Sequence, residues 1–154
     1  MIRVVLDTNV LITAFKDEYS YQKQIIDEAI KGNIQAFANN QTLRENSFIL
    51  KKLIHDTEYQ KELDRFLRQV NIVQNKRKVH IVSDPEDNKI LESALEAKAD
   101  YLITEDKALL ELKKVSGVKI VEPADFWVGY QESTGNDPWK KWVSFVAGDR
   151  NGKN

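Results

Sequence analysis

The sequence predicts an α/β fold of three layers, α/β/α, in which helices cover both faces of a central, mainly parallel sheet. Two observations carry this expectation. Strand-like apolar runs alternate with stretches of helical periodicity, the pattern of successive β–α units. The first run, Ile2-Arg3-Val4-Val5-Leu6, reads as a central strand buried on both faces. It ends directly in Asp7-Thr8-Asn9, so a carboxylate stands at the carboxyl end of the strand. In open α/β sheets that edge is where ligands bind.

The remaining elements follow in order. After the strand at residues 3–6, apolar spacing predicts a helix over 21–31, stopped by Gly32-Asn33. Residues 34–38 read as a second strand. Leu43, Leu50 and Ile54 then recur at helical spacing, as do Leu63, Phe66, Leu67 and Val70. Residues 71–78 read as an exposed loop and 79–82 as a strand. Asp84-Pro85 starts the next helix, with a capping acid followed by proline at the first helical position. That helix is expected to run to about Lys98. A strand at 101–104, a helix at 107–114, a last strand at 118–121 and a helical turn from Pro123 complete the pattern.

Composition bounds the function. A chain of 154 residues with 42% hydrophobic and 31% charged residues is an ordinary single globular domain. No apolar run approaches bilayer length, and the amino terminus reads as a strand rather than a secretory signal. The absence of cysteine excludes disulfides and thiolate zinc sites. The cytoplasm is therefore the expected compartment, with no membrane partner. A protein that binds nucleic acid by bulk electrostatic attraction is usually much more basic than this chain, whose net charge is -1. Any such contact must use local groups, for example Lys51-Lys52, Lys76-Arg77-Lys78, Lys113-Lys114 or Lys140-Lys141, each of which also reads as a solvated helix end or loop.

Four acids are expected to share the carboxyl-end edge: Asp7, Glu45, Asp87 and Asp106. Asp7 ends the first strand, and Asp106 follows the strand at 101–104. Asp87 precedes Ile90, Leu91 and Ala94 by three, four and seven residues, which turns it toward their buried face. Glu45 precedes Phe48 and Ile49 in the same way. Each acid also has a plain structural use: strand-end hydrogen bonding for Asp7, helix capping or dipole pairing for Asp87 and Asp106, and ion pairing for Glu45. Together they make a sharper case. Two like charges about 4 Å apart repel by roughly 4 kcal/mol at an effective dielectric of about 20. Clustered carboxylates therefore hold raised pKa values or bind cations. An all-oxygen ligand set suits Mg2+ or Mn2+, which activate water for phosphodiester hydrolysis.

With those residues in view, residues 2–128 resemble the PIN-domain ribonucleases. The likeness is carried by Leu6-Asp7-Thr8-Asn9-Val10, by the helical Glu45, by Asp84 to Ala94, by Ala99 to Leu110 and by Ile120 to Phe126. The resemblance implies a metal-dependent endoribonuclease of the kind that serves as the toxin of a toxin–antitoxin pair. It implies that Asp7, Glu45, Asp87 and Asp106 hold one or two divalent ions, with Thr8, Asn9 and Thr104 as supporting polar residues. The implied partners are single-stranded or structured RNA, an antitoxin protein and a second copy of the chain in a homodimer. Lys89 and Lys107 lie near the same edge, where phosphate contact and a plain surface role are both open. One departure is Glu105, which stands where many relatives carry a small residue.

The domain is expected over 1–128, followed by an extension over 129–154. In that extension Trp139, Trp142, Val143 and Val146 fall at helical spacing, either docked on the domain or as a partner-binding element, before a frayed tail. The competing reading of the whole chain is a PIN-like module that binds RNA or protein with little or no turnover. Phosphotransfer through Asp7 fits poorly, because haloacid-dehalogenase-like phosphatases place a second Asp where this chain has Asn9. His55 and His80 have no partner at ligand spacing and are assigned no chemistry.

Overall fold

β1 (Arg3–Leu6) is the strand around which the sheet is organised, and both of its long edges are paired in parallel. The computed structural model describes residues 1–135 and residue 146. On one side of β1 lie β2 (Gln35–Asn39) and then β3 (Asn71–Val73); on the other lie β4 (Tyr101–Ile103), β6 (Val118–Val121) and finally β5 (Lys114–Val115). The order β3-β2-β1-β4-β6-β5 is parallel except at β5, which pairs antiparallel with β6. The α/β architecture with a mainly parallel sheet is as the sequence predicts.

Alternation along the central strands divides the core into two. Val4 and Leu6 of β1, Ala36 of β2 and Ile103 of β4 face one layer, whereas Val5, Phe37 and Leu102 face the other. The first layer receives α1 (Thr8–Ala14), α2 (Tyr21–Lys31), α3 (Asn40–Leu53), α4 (Thr57–Gln69) and α7 (Pro123–Thr134). The second receives α5 (Pro85–Glu96), through Ile90, Leu91 and Ala94, and α6 (Lys107–Leu110), through Leu109. Lys23 of α2 is buried between the layer's helices, with its Nζ 2.7 Å from Asp27 and 2.9 Å from Glu62 of α4. Burial works against that charge, but the two carboxylates outweigh it and raise the ammonium pKa.

Capping sets where these helices begin. Ser20 Oγ accepts from the Lys23 N–H, and Asp56 Oδ1 accepts from the Glu58 and Tyr59 N–H groups at 2.9 and 3.1 Å. Such bonds satisfy amides that have no partner inside the helix. Replacing Asp56 by Ala is expected to cost about 1 kcal/mol, read as a lower urea midpoint with an unchanged slope; an unchanged midpoint would show that water serves these amides equally well.

Several elements differ from expectation. Residues 79–82 form no strand; the third strand is instead Asn71–Val73, within the segment expected to be a loop. Side chains of α5 take the place of a ladder at 79–82: Glu92 Oε2 accepts from the Val79 N–H, and Asn88 Oδ1 accepts from the N–H groups of Ile81 and Val82. The helix expected over 107–114 stops at Leu110, because Lys113 at φ 61° turns the chain into β5. β5 and β6 then meet through Ser116 and Gly117, both at positive φ (47° and 88°), as a tight primed hairpin turn requires. α1 was not expected at all. α7 continues past Trp127 to Thr134, and Gly135 at φ 74° ends it. The expected apolar face of Trp139, Trp142 and Val143 lies outside the described residues.

Candidate active site

From β1 the chain works outward through β2 and β3, then returns to place β4 on the other side of β1. The reversal makes the carboxyl ends of β1 and β4 the topological switch point, the place at which open α/β sheets bind ligands. Asp7 is the first residue beyond β1, and Thr104 the first beyond β4. Thr104 Oγ1 donates to Asp7 Oδ2 at 2.7 Å and accepts from the Asp106 N–H at 3.0 Å. A hydroxyl both donates and accepts, so this fully buried threonine couples the two strand ends. Asp7 Oδ1 takes the Thr8 N–H at 2.7 Å as the cap of α1, and Asp106 Oδ1 takes the Leu109 N–H at 3.2 Å as the cap of α6.

Asp87 reaches this edge from the first turn of α5, behind the Asp84 cap and Pro85, and is buried. Burial above all pushes its carboxyl up to about 6; the charges of Asp106, Asp84 and Asp7 and a hydrogen bond with Asp106 add to the rise. Asp7 is also raised, mainly by burial, partly offset by its bonds to Thr104 and Thr8, with Asp106 and Glu105 adding repulsion. Asp7, Asp87 and Asp106 therefore sense one another across three separate segments of chain.

Glu45 is placed differently. It lies exposed on α3, where its Oε1 accepts from Gln41 one turn earlier at 3.1 Å. It is not among the charges that shift Asp7 or Asp87. Phe48 and Ile49, expected to mark its buried side, are 62% and 39% exposed. The inward stripe of α3 runs instead through Asn46 and Leu50, one residue out of phase. Asn46 is the polar residue that α3 brings to the site: its Oδ1 accepts from Thr8 Oγ1 at 2.8 Å. An asparagine four residues before Leu50 on one helical face was the available signal. Asn9 is exposed, and so is Glu105, which accepts from Gln22 at 2.8 Å. Lys89 pairs with Glu86 at 3.3 Å.

The donor set fits a hard divalent cation. Three mutually repelling aspartates offer oxygen alone, and two of them carry raised pKa values that a cation would reverse. Among the described residues no group of three or more His, Asp or Glu side chains is placed so that together they could hold a metal ion. Mg2+ does not require such a group, because it keeps several waters and is held by one or two carboxylates.

The Asp87 carboxyl also predicts a pH dependence of the metal-free fold. Folding raises its pKa from 3.8 to about 6. Proton binding there stabilises the native state below about pH 4, and the benefit is lost as pH rises through 6. In EDTA, Asp87→Asn is expected to be more stable than the wild type above pH 6, by about 1–2 kcal/mol, and equal to it below about pH 4. Urea titrations at pH 4 and 7.5 check this; a pH-independent difference would count against the charge cluster.

Comparison with known proteins agrees with this geometry. The family model described as PIN domain matches residues 3–108. The chain belongs to the PIN domain family. The matched span runs from β1 to the start of α6 and contains Asp7, Glu45, Asp87 and Asp106. An uncharacterized protein of Methanocaldococcus jannaschii is 28% identical, over 81% of this chain and 89% of its own length. In fold, this PIN domain is similar to a chain in the crystal structure of VapBC2 from Rickettsia felis bound to a DNA fragment from their promoter. That likeness has a TM-score of 0.52 and 18% identity, and covers 77% of this chain and 97% of the other. Among the described residues no helix is long and apolar enough to cross a membrane. A cleft of about 490 Å3, lined by Asp100, Lys119 and Tyr130 among others, lies by the amino ends of β1, β4 and β6, away from the acids.

Proposed function

We propose that this PIN domain is a divalent-metal-dependent endoribonuclease that hydrolyses RNA phosphodiester bonds at the edge carrying Asp7, Asp87 and Asp106. The observation that supports it is the mutual electrostatic coupling of these three aspartates at the sheet's switch point. Asp7, Asp87 and Asp106 would hold Mg2+ or Mn2+, with Glu45 as a further acid one turn along α3. A cation bound there supplies Lewis-acid stabilisation of phosphoryl oxygen and lowers the pKa of its water. Thr104 holds the Asp7 carboxylate by a charge-assisted bond, and Asn46 orients Thr8 beside it.

This reading extends to biology through the family resemblance: a cytoplasmic toxin, restrained by an antitoxin protein and acting as a homodimer. The nuclease domain is proposed over 1–128 with an extension over 129–154, although α7 carries the core across that boundary as far as Tyr130. One observation favours a second reading, an RNA- or protein-binding module with weak turnover: Glu45 pairs with Gln41 rather than with the aspartates. Incubation of labelled single-stranded RNA with the purified protein in Mn2+, Mg2+ or EDTA separates the two. Cleavage that requires the metal supports the nuclease. RNA retained intact across varied sequences supports the binding module.

A further inference from the structure

Beside the aspartates, a cleft of about 290 Å3 opens over the carboxyl ends of β2 and β3. Its lining is rich in carboxamides: Asn39, Asn40, Gln41, Gln74 and Asn75. Two lysines, Lys78 and Lys89, stand at the same opening. The volume is near the lower limit for ligand sites, roughly 300 Å3, and suits a single ring system better than a larger ligand.

The floor is built. Asn39 is buried; its Oδ1 accepts from the Thr42 N–H at 2.7 Å and its Nδ2 donates to Ser93 Oγ at 3.0 Å. Ser93 Oγ in turn reaches Asn75 Oδ1 at 3.1 Å, and Asn75 Nδ2 donates to the Lys89 carbonyl at 3.2 Å. These bonds fix two amides against α5. Asn40 and Gln74 are exposed at the opening. Glu92, also in the lining, is committed to the Val79 N–H.

Position links this cleft to the acids. The register Val5↔Phe37 sets Asn39 level with Asp7 on the neighbouring strand, about 4.8 Å away across the sheet. Lys89 follows Asp87 by two residues on α5. A carboxamide presents a donor and an acceptor in one plane, the combination that pairs with the edge of a nucleobase. Single-stranded RNA is read through such splayed bases, while lysines meet its phosphates.

We propose that this cleft, floored by Asn39 and Asn75, receives one nucleobase of the RNA next to the scissile phosphate, whose edge is read by the exposed amides of Asn40 and Gln74. This rests on the RNA reading of the aspartate site and adds base selectivity to it. The test is fluorescence anisotropy in EDTA with labelled single-stranded RNA hexamers that differ only in one central base, A, C, G or U. The wild type is expected to prefer one base by about tenfold. The Asn40→Ala/Gln74→Ala variant, altered only at exposed positions, is expected to bind all four within about twofold, whereas Lys89→Ala weakens all four alike. Equal binding of the four hexamers by the wild type, retention of its preference by the double variant, or no binding of any hexamer overturns the proposal. Cleavage in Mg2+ is scored separately. Cutting without base preference removes this inference and leaves the nuclease, and base-selective binding without cutting does the reverse.

Discussion

Asp7→Asn is expected to lower metal-dependent RNA cleavage by on the order of 10^3-fold, which is several kcal/mol of transition-state stabilisation. The substitution keeps the shape of the side chain. An asparagine still offers an oxygen to the Thr104 hydroxyl or the Thr8 N–H, so α1 keeps a capping residue. What it removes is the charge that would bind the cation. The metal-free variant is therefore expected to be at least as stable as the wild type near neutral pH, because Asp7 and Asp87 no longer repel. Stability and activity thus move in opposite directions, as a purely structural role for Asp7 would not allow. Retention of full metal-dependent cleavage by Asp7→Asn would remove the aspartate edge from the chemistry.

Phe126→Ala is expected to cost about 3–5 kcal/mol in urea unfolding, a large part of the roughly 5–15 kcal/mol that holds a domain of this size together. The ring is 3% exposed. It meets Tyr101 edge-on at 5.1 Å and stacks on Tyr130 one turn along α7 at 5.8 Å. Tyr130 continues the same seam: its hydroxyl donates to Glu28 of α2 at 2.8 Å, and burial first, then Glu28, pushes its pKa up to about 12. Loss of the Phe126 ring opens a void between α7, β4 and α2. Phe126→Leu is expected to recover most of the loss. A cost below about 1 kcal/mol would mean that α7 contributes little to the fold.

Where the sequence was legible, one physical term dominated. Burial of β1 on both faces makes Val4-Val5-Leu6 continuously apolar, and Gly32 marks the end of α2 because the cap there needs φ 83°. Asp84-Pro85 announces α5 in the same local way. The less legible elements are those held by distant partners. α1 is short and carries Val10, Ile12 and Thr13, whose β-branched side chains lose χ1 freedom in a helix; burial of Val10, Leu11 and Ala14 holds it. Val79 to Val82 carries the composition of a strand, yet β3 is three residues of an edge with Ile72 57% exposed. What distinguishes the two is pairing with β2, which no local pattern records. For the site, Asp7, Asp87 and Asp106 were legible because each follows a strong strand or helix signal. On α3 a phase error of one residue exchanges Glu45 for Asn46, since residues 100° apart on a helix face different surroundings.

The Thr104–Asp7 hydrogen bond joins residues 97 positions apart in the chain. The strands beside it, β1 and β4, cannot pair until everything between them has been synthesised, so this contact forms late. A chain still emerging from the ribosome holds Asp7 with neither Asp106 nor Thr104 to answer it. Domains generally fold as units during synthesis, so the aspartate edge is assembled only when translation has passed residue 106. Whatever chemistry this edge supports is therefore absent from a nascent chain that has not yet reached Asp106.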